Sequence, residues 1–358
     1  MVTVLLSQLK SGDKLGEDVL TPFGGVLLRK GEVITPRTME IMQAFLVSSA
    51  VIEDTAQAAK GQMTAVQDDT QQPSAAQVSS DLHDEYDQMV KTLRTVFNSY
   101  ISGQSFPIMD IRTQLEKLLL QMKSYHILSF APRSFAETDY YIHNSVCSAL
   151  TSYQLAQWAG FKQKEWMQIA LAGLLKDIGN IRLDRSILTK PTPLTREETE
   201  EMKQHTVQGY QLLKNIAALN EGVKLAALQH HERVDGTGYP LGIDSTKIHP
   251  YAKIVSIADI FHAMTLNKAY RKAESPYLVL EQLQNDAFGK LDPSYVTVFI
   301  EKVTQFHQGT VVRLSDDRIG EIVFSDRLHP TRPWVSVHGQ IINLTKDRHL
   351  HIKEIVKT

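Results

Sequence analysis

Short strand-like runs of hydrophobic residues lie near both ends of this chain, and the region between them has helical spacing. Near the start, short apolar runs such as Val2–Leu6 and Gly25–Leu28 are separated by turn residues, which is typical of short strands. Helical spacing begins near Asp84, and short alternating runs return from Thr310 onward. The pattern predicts a mainly α fold class, with a helical domain flanked by small β-rich N-terminal and C-terminal modules.

The same changes of pattern give five expected regions. Residues 1–54 form a small β-rich accessory module with one helix that opens at Thr35-Pro36. Residues 55–82 are rich in Ala, Gln, Ser and Asp and poor in large apolar groups, which predicts a flexible linker. The remaining regions are amphipathic helices over 83–130, a helical domain over 131–306 and a small β domain over 307–358.

Composition narrows the class of protein. The 358 residues are 42% hydrophobic, so a normal core can form, and the formal net charge of −2 argues against a nucleic-acid polymer as partner. A single cysteine, Cys147, excludes an internal disulfide and fits a reducing cytosol. We find no signal-peptide pattern at the start and no apolar stretch long enough for a membrane span, so we expect a cytoplasmic protein.

The densest cluster of candidate chemistry is the stretch His230–Pro240, which reads HHERVDGTGYP. Two adjacent histidines and two glycines in so polar a stretch are poor material for a core. Four other segments of the helical domain each offer one further metal-type ligand: His143, Asp177, His205 and Asp259. Histidine and carboxylate together suit iron, manganese or zinc.

Each of these residues alone also has an ordinary structural explanation. His143 and His205 could be a satisfied core histidine and a solvated helix residue, and Asp177 could cap a helix. Asp259 is harder to explain in this way, because it lies inside an apolar run and a buried carboxylate needs a cation or donors. Taken together they favour a metal site built between helices.

The order and spacing of these residues resemble the HD-GYP family of HD phosphohydrolases. The resemblance covers about residues 135–305. It is carried by Asp177-Ile178-Gly179, Lys190-Pro191, Pro193-Leu194-Thr195, His205 with Gly209-Tyr210, the whole His230–Pro240 stretch, Ile257-Ala258-Asp259 and Ala269–Ala273.

The resemblance implies an all-helical domain that hydrolyses cyclic di-GMP to linear pGpG, and often on to GMP, at a centre of two or three metals. It implies a first metal held by His143, position 176, Asp177 and Asp259, and a second held by Asp177, His205, His230 and His231. Tyr239, Lys268 and Arg271 occupy its substrate-binding positions, where basic groups neutralise phosphates.

The chain departs from the family pattern at Lys176, at Asn180, and at His262, where members commonly have aspartate. Position 176 is Lys176 instead of histidine, and an ammonium has three donors and no acceptor, so it cannot bind a metal. Its charge could stand in for the first metal beside Asp177 and Asp259. Asn180 replaces the usual lysine. Asp139, one turn before His143, is either an additional ligand or an exposed acid. We therefore expect one bound ion rather than two.

Two functions remain open from the sequence. The first is a cyclic di-GMP phosphodiesterase with weak or lost activity, and the alternative is a non-catalytic sensor or protein-interaction module. Expected partners are cyclic di-GMP, a second copy of the chain in a homodimer, and a diguanylate cyclase or other protein that contacts the Gly-Tyr-Pro loop.

Overall fold

The structure is a computed structural model that describes the chain except residues 22–25, 46, 48, 54–74, 102–105, 136–138, 268–271, 306–308 and 358. It divides into two compact units. One combines the two ends of the chain, 1–72 and 304–358, and the other spans Pro73–Val303. The mainly α class with small sheets toward both termini is confirmed.

The terminal unit consists of three small antiparallel sheets. Its strands are β1 Val2–Leu5, β2 Val19–Leu20, β3 Val26–Leu28, β4 Ser49–Ile52, β5 Val311–Leu314, β6 Ile319–Phe324, β7 Trp334–Val337, β8 Gln340–Asn343 and β9 Ile352–Lys357, with helix α1 at Pro36–Ala44. β1 pairs with β4, β2 pairs with β3, and the other five strands follow the order β8-β7-β6-β5-β9. Strands β4, β8 and β9 are additions to those predicted from the sequence.

The two β-rich segments, expected as separate modules, share one core. Leu27 and Leu28 from the N-terminal segment lie in the same buried cluster as Val311 and Ile319 from the C-terminal segment. Arg313 donates to both carboxylate oxygens of Glu40 at 3.1 Å, which ties the segments together at the surface. Segments this short bury too little apolar surface alone, and a shared core relieves that shortage.

The helical unit contains ten α-helices among its described residues. They are α2 Ala75–Ile101, α3 Ile108–Leu120, α4 Tyr140–Trp158, α5 Gln163–Leu175, α6 Arg185–Leu188, α7 Arg196–Leu213, α8 Glu221–Gln229, α9 Pro250–Thr265, α10 Pro276–Asp286 and α11 Pro293–Val303. α4, α5, α8 and α9 pack on one another around one large apolar core. No helix in the described part of the chain combines the length and apolar character needed to cross a membrane.

Helix α2 begins inside the segment predicted as a linker. The helix starts at Ala75, whereas the linker was expected to continue to residue 82. Alanine and glutamine are good helix formers, so the polar segment can extend a helix that buries Leu82. Residues 55–74 of the expected linker lie outside the described residues.

A glycine contact sets the spacing between the helices that carry the candidate site. Gly179 lies in a 3-10 helix, Ile178–Arg182, directly after the end of α5. A Cβ at this position would overlap the carbonyl oxygen of His205 and lie 2.6 Å from the nitrogen of Gly209. Because both contacts are backbone atoms of α7, only glycine allows this approach.

We predict that Gly179→Ala destabilises the helical unit and displaces His205. Overpacking of this kind costs about 1–3 kcal/mol. Urea unfolding followed by the fluorescence of Trp158 and Trp166 measures the change. Gly209→Ala is the matched control, because its Cβ would meet atoms no closer than 3.5 Å and alanine favours a helix by about 1 kcal/mol. Equal stability of the two variants would contradict the role of this contact.

Candidate metal centre and cleft

Three segments bring four ligand-type side chains together. Asp177 follows the last turn of α5, and His205 lies in α7, whose start is fixed by the capping box of Thr195 and Glu198. His230 caps the end of α8, and His231 follows it. One ligand atom from each of Asp177, His205, His230 and His231 lies within 4.8 Å of the others.

Backbone carbonyls orient two of the imidazoles. Nδ1 of His205 lies 2.6 Å from the carbonyl oxygen of Met202, and Nδ1 of His230 lies 3.0 Å from that of Ala226. A carbonyl only accepts, so each Nδ1 carries the proton and each Nε2 presents a lone pair. The two Nε2 atoms are 3.4 Å apart and face Oδ1 of Asp177 at 3.4 and 3.5 Å.

Burial sets the protonation states of the cluster. It lowers the pKa of His205 to about 4 and holds the pKa of His231 well below its usual value. Burial alone would raise the pKa of Asp177, but the charge of the neighbouring Lys176 outweighs it and keeps that pKa well below its usual range. Near pH 7, His205 and His231 are therefore neutral and Asp177 is ionised, which are the forms that bind a metal.

An ammonium group lies beside this cluster. The Lys176 side chain is fully buried, and its Nζ contacts Oδ2 of Asp177 and lies 2.8 Å from Oδ1 of Asp259, in α9. Burial disfavours the charge of Lys176, but the two carboxylates outweigh that effect and raise its pKa above the usual value. Asp177 therefore directs one oxygen toward the ammonium and the other toward His205 and His230.

Three metal-ligand candidates lie outside the four-residue cluster: Asp259, which contacts Lys176, and also His143 and Asp139. Nδ1 of His143 lies 2.9 Å from the hydroxyl of Tyr86 on α2, and its ring packs against Phe135. Asp139 accepts from Arg94 at 2.5 Å. Sequence reasoning missed Tyr86 because nothing in the spacing connects α2 with α4. Lys268 and Arg271 lie outside the described residues.

Tyr239 and the His230–Pro240 loop form one wall of the site. The Tyr239 ring stacks on His231 at a centroid distance of 4.7 Å. Glu232, which the sequence did not single out, is buried and accepts from the backbone nitrogens of Leu241 at 2.6 Å and Ile243 at 3.2 Å. These bonds hold the loop closed behind the histidines. In the sequence, only the position of Glu232 directly after the His pair indicated a role for it.

A cleft of about 350 Å³ opens in front of these groups. Its lining includes Asp177, His205, His231, Tyr239 and Asp259. Asn180 also lines the cleft and is 6% exposed. The volume falls in the range of about 300–1,000 Å³ found for small-molecule sites. The cleft therefore places ligand-type, aromatic and polar groups on one surface.

The donor set fits a divalent transition metal. Three imidazole nitrogens and one carboxylate oxygen suit zinc, manganese or iron. The carbonyl bonds at Nδ1 of His205 and His230 are the outer contacts that normally fix metal-binding histidines. The residues that would hold one ion are thus Asp177, His205, His230 and His231.

Comparison with known proteins supports the same interpretation. A family model described as HD domain matches residues 123–295. Cyclic di-GMP phosphodiesterase PdeB of Borreliella burgdorferi is 28% identical over 208 residues, which cover 57% of this chain and 55% of the relative. A cyclic di-GMP phosphodiesterase of Thermotoga maritima is 38% identical over 156 residues, 42% of this chain and 41% of the relative.

A third relative is named for a different cyclic dinucleotide. The 3′3′-cGAMP-specific phosphodiesterase 1 of Vibrio cholerae is 28% identical over 174 residues, covering 48% of this chain and 40% of the relative. The chain spans about half the length of the curated relatives that it matches. With the His230–Pro240 signature and the HD domain match, these findings support assignment of the chain to the HD-GYP family.

We predict that His230→Ala weakens the binding of Mn²⁺ at least about 100-fold. Changes in groups that only support a ligand already cost about 10–100-fold in metal affinity, and this variant removes the ligand itself. A calorimetric titration of the metal-free protein with Mn²⁺ measures the affinity.

His126→Ala is the matched control, because His126 is exposed and lies outside the four-residue cluster. Its metal affinity should equal that of the unmodified protein. Unchanged affinity in His230→Ala, with an intact circular dichroism spectrum, would exclude the cluster as the metal site.

Proposed function

We propose that the helical unit binds cyclic di-GMP at the cleft, holds one divalent ion rather than two, and hydrolyses the ligand weakly or not at all. The relatives named as cyclic di-GMP phosphodiesterases support the choice of ligand. The observation that carries the proposed loss of activity is the buried Lys176 ammonium between Asp177 and Asp259.

The ammonium replaces the charge of the first metal without its chemistry. Lys176 neutralises one carboxylate charge and satisfies oxygens of both Asp177 and Asp259 by hydrogen bonds. A lysine ammonium has no acceptor and no open coordination position, so it cannot polarise a phosphate oxygen as a Lewis acid. An ion held by the histidine cluster would supply Lewis acidity and water activation on one side of the cleft only.

Asn180 weakens the site for phosphate in a second way. The family usually has lysine here, and the amide carries no charge to offset a phosphate. The side chain is buried at the wall of the cleft, and among the described residues its Oδ1 has no hydrogen-bond partner. A neutral acceptor at this position favours contact with an N–H group of a ligand over contact with a phosphate oxygen.

Ligand binding does not require the lost metal chemistry. The cleft has a volume of about 350 Å³ and an aromatic wall at Tyr239. A domain that binds but does not turn over cyclic di-GMP would act as a receptor for it. Three further expectations remain predictions. They are phosphate contacts by Lys268 and Arg271, a homodimer, and a diguanylate cyclase at the Gly-Tyr-Pro loop.

We predict that Lys176→His combined with Asn180→Lys raises the rate of pGpG formation at least about 100-fold. This factor corresponds to a decrease of about 2.7 kcal/mol in the activation free energy. The double variant restores an imidazole for the first metal and a cation for a phosphate. Chromatography of reactions with Mn²⁺ or, anaerobically, Fe²⁺ measures the product.

The control is Lys176→Gln combined with Asn180→Lys, which removes the ammonium without supplying an imidazole. It should remain as slow as the unmodified protein. Fast hydrolysis by the unmodified protein would contradict the proposed loss of activity, and an absence of cyclic di-GMP binding in calorimetry would refute the proposed ligand.

A further inference from the structure

A second cavity adjoins the cleft on the side away from the histidines. It has a volume of about 320 Å³ and is called the side cavity below. Its polar lining includes Arg94 on α2, Asp139 before α4, Asn180, and Arg185 on α6. Tyr141, Asn180 and Leu188 line both the side cavity and the cleft, so the two share a wall. Arg94 lies outside the part of the chain that matches the HD domain model.

The lining of the side cavity suits a flat, polar-edged ring better than a phosphate. Phe97, Ile142 and Ile181 supply apolar surface. Arg94 donates to Asp139 at 2.5 Å, which places a carboxylate in the same cavity. A carboxylate repels a phosphate, whereas apolar side chains and a guanidinium plane favour stacking with a base.

The polar groups match the edges of guanine in particular. Arginine pairs with the O6 and N7 acceptors of guanine, and carboxylate or amide oxygens accept from its N–H donors. Asn180 adds a buried acceptor, because its Oδ1 has no hydrogen-bond partner among the described residues. Adenine has no O6 acceptor, so it would leave part of this donor set unpaired.

We infer that the side cavity receives one guanine base of the cyclic dinucleotide whose phosphodiester lies in the cleft. The inference rests on the proposed function and extends it to base recognition. Asp139 then belongs to base recognition with Arg94, and Asn180 connects the base site with the cleft. Because one cavity reads one base, a dinucleotide with a single guanine should satisfy it.

Calorimetry with the metal-loaded full chain tests this arrangement. The unmodified protein should bind cyclic di-GMP and 3′3′-cGAMP with similar affinity and cyclic di-AMP at least about 10-fold more weakly, as expected when a bidentate base contact is lost. Arg94→Gln and Arg185→Gln should each weaken cyclic di-GMP binding by about 10-fold and reduce the preference over cyclic di-AMP.

Arg112→Gln is the matched control. Arg112 pairs with Glu116 on the surface of α3 and does not line the cleft or the side cavity. It should bind all three dinucleotides as the unmodified protein does. Both arginines are exposed, but Arg94 pairs with Asp139, so Arg185→Gln tests the cavity without breaking that ion pair.

Two results would overturn the inference, and only the second would also reject the proposed function. If the unmodified protein binds cyclic di-GMP but both arginine variants bind it equally well, the side cavity is not a base site and the proposed function stands. If the unmodified protein binds none of the three dinucleotides, the proposed function and the inference both fail.

Discussion

The contact between the Lys176 ammonium and the carboxylates of Asp177 and Asp259 is the interaction on which the site depends. A fully buried ammonium is tolerated only when acceptors surround it, and here two carboxylates do so. This contact also gives the two carboxylate oxygens of Asp177 different partners. One oxygen is held by the lysine, and the other remains directed at His205 and His230. The lysine therefore occupies one half of the expected two-metal centre and orients the shared ligand of the other half.

Charge neutralisation and Lewis acidity are separable, and under the proposed function this chain retains the first and loses part of the second. A metal in the first position would do both, whereas an ammonium only balances charge. The carbonyl bonds that orient His205 and His230 are independent of residue 176, so the second ligand set persists. On this account the domain keeps what is needed to hold one ion and a dinucleotide, and it loses the paired stabilisation of attacking and leaving oxygens on which two-metal hydrolysis relies.

Sequence reasoning was most successful where a residue's role follows from local spacing. The helix predicted to open at Thr35-Pro36 begins at Pro36, and the succession of Asp177, His205 and the His230-His231 pair indicated one cluster. It was least successful where contacts join distant segments. Tyr86 meets His143 across 57 positions of the chain, and Arg313 meets Glu40 across 273. The side cavity likewise joins Arg94 of α2 to Asn180 and Arg185, which lie much further along the chain. Such contacts are set by tertiary packing and leave no periodic signal.

The most direct test of the central claim is the number of metal ions bound per chain. Elemental analysis after loading with Mn²⁺, together with anomalous diffraction from crystals, gives both the count and the positions. The account predicts one ion, bound by Asp177, His205, His230 and His231, with the Lys176 ammonium still between the carboxylates. It also predicts a second ion in Lys176→His. Two ions in the unmodified protein, one of them bound to Asp259, would contradict it.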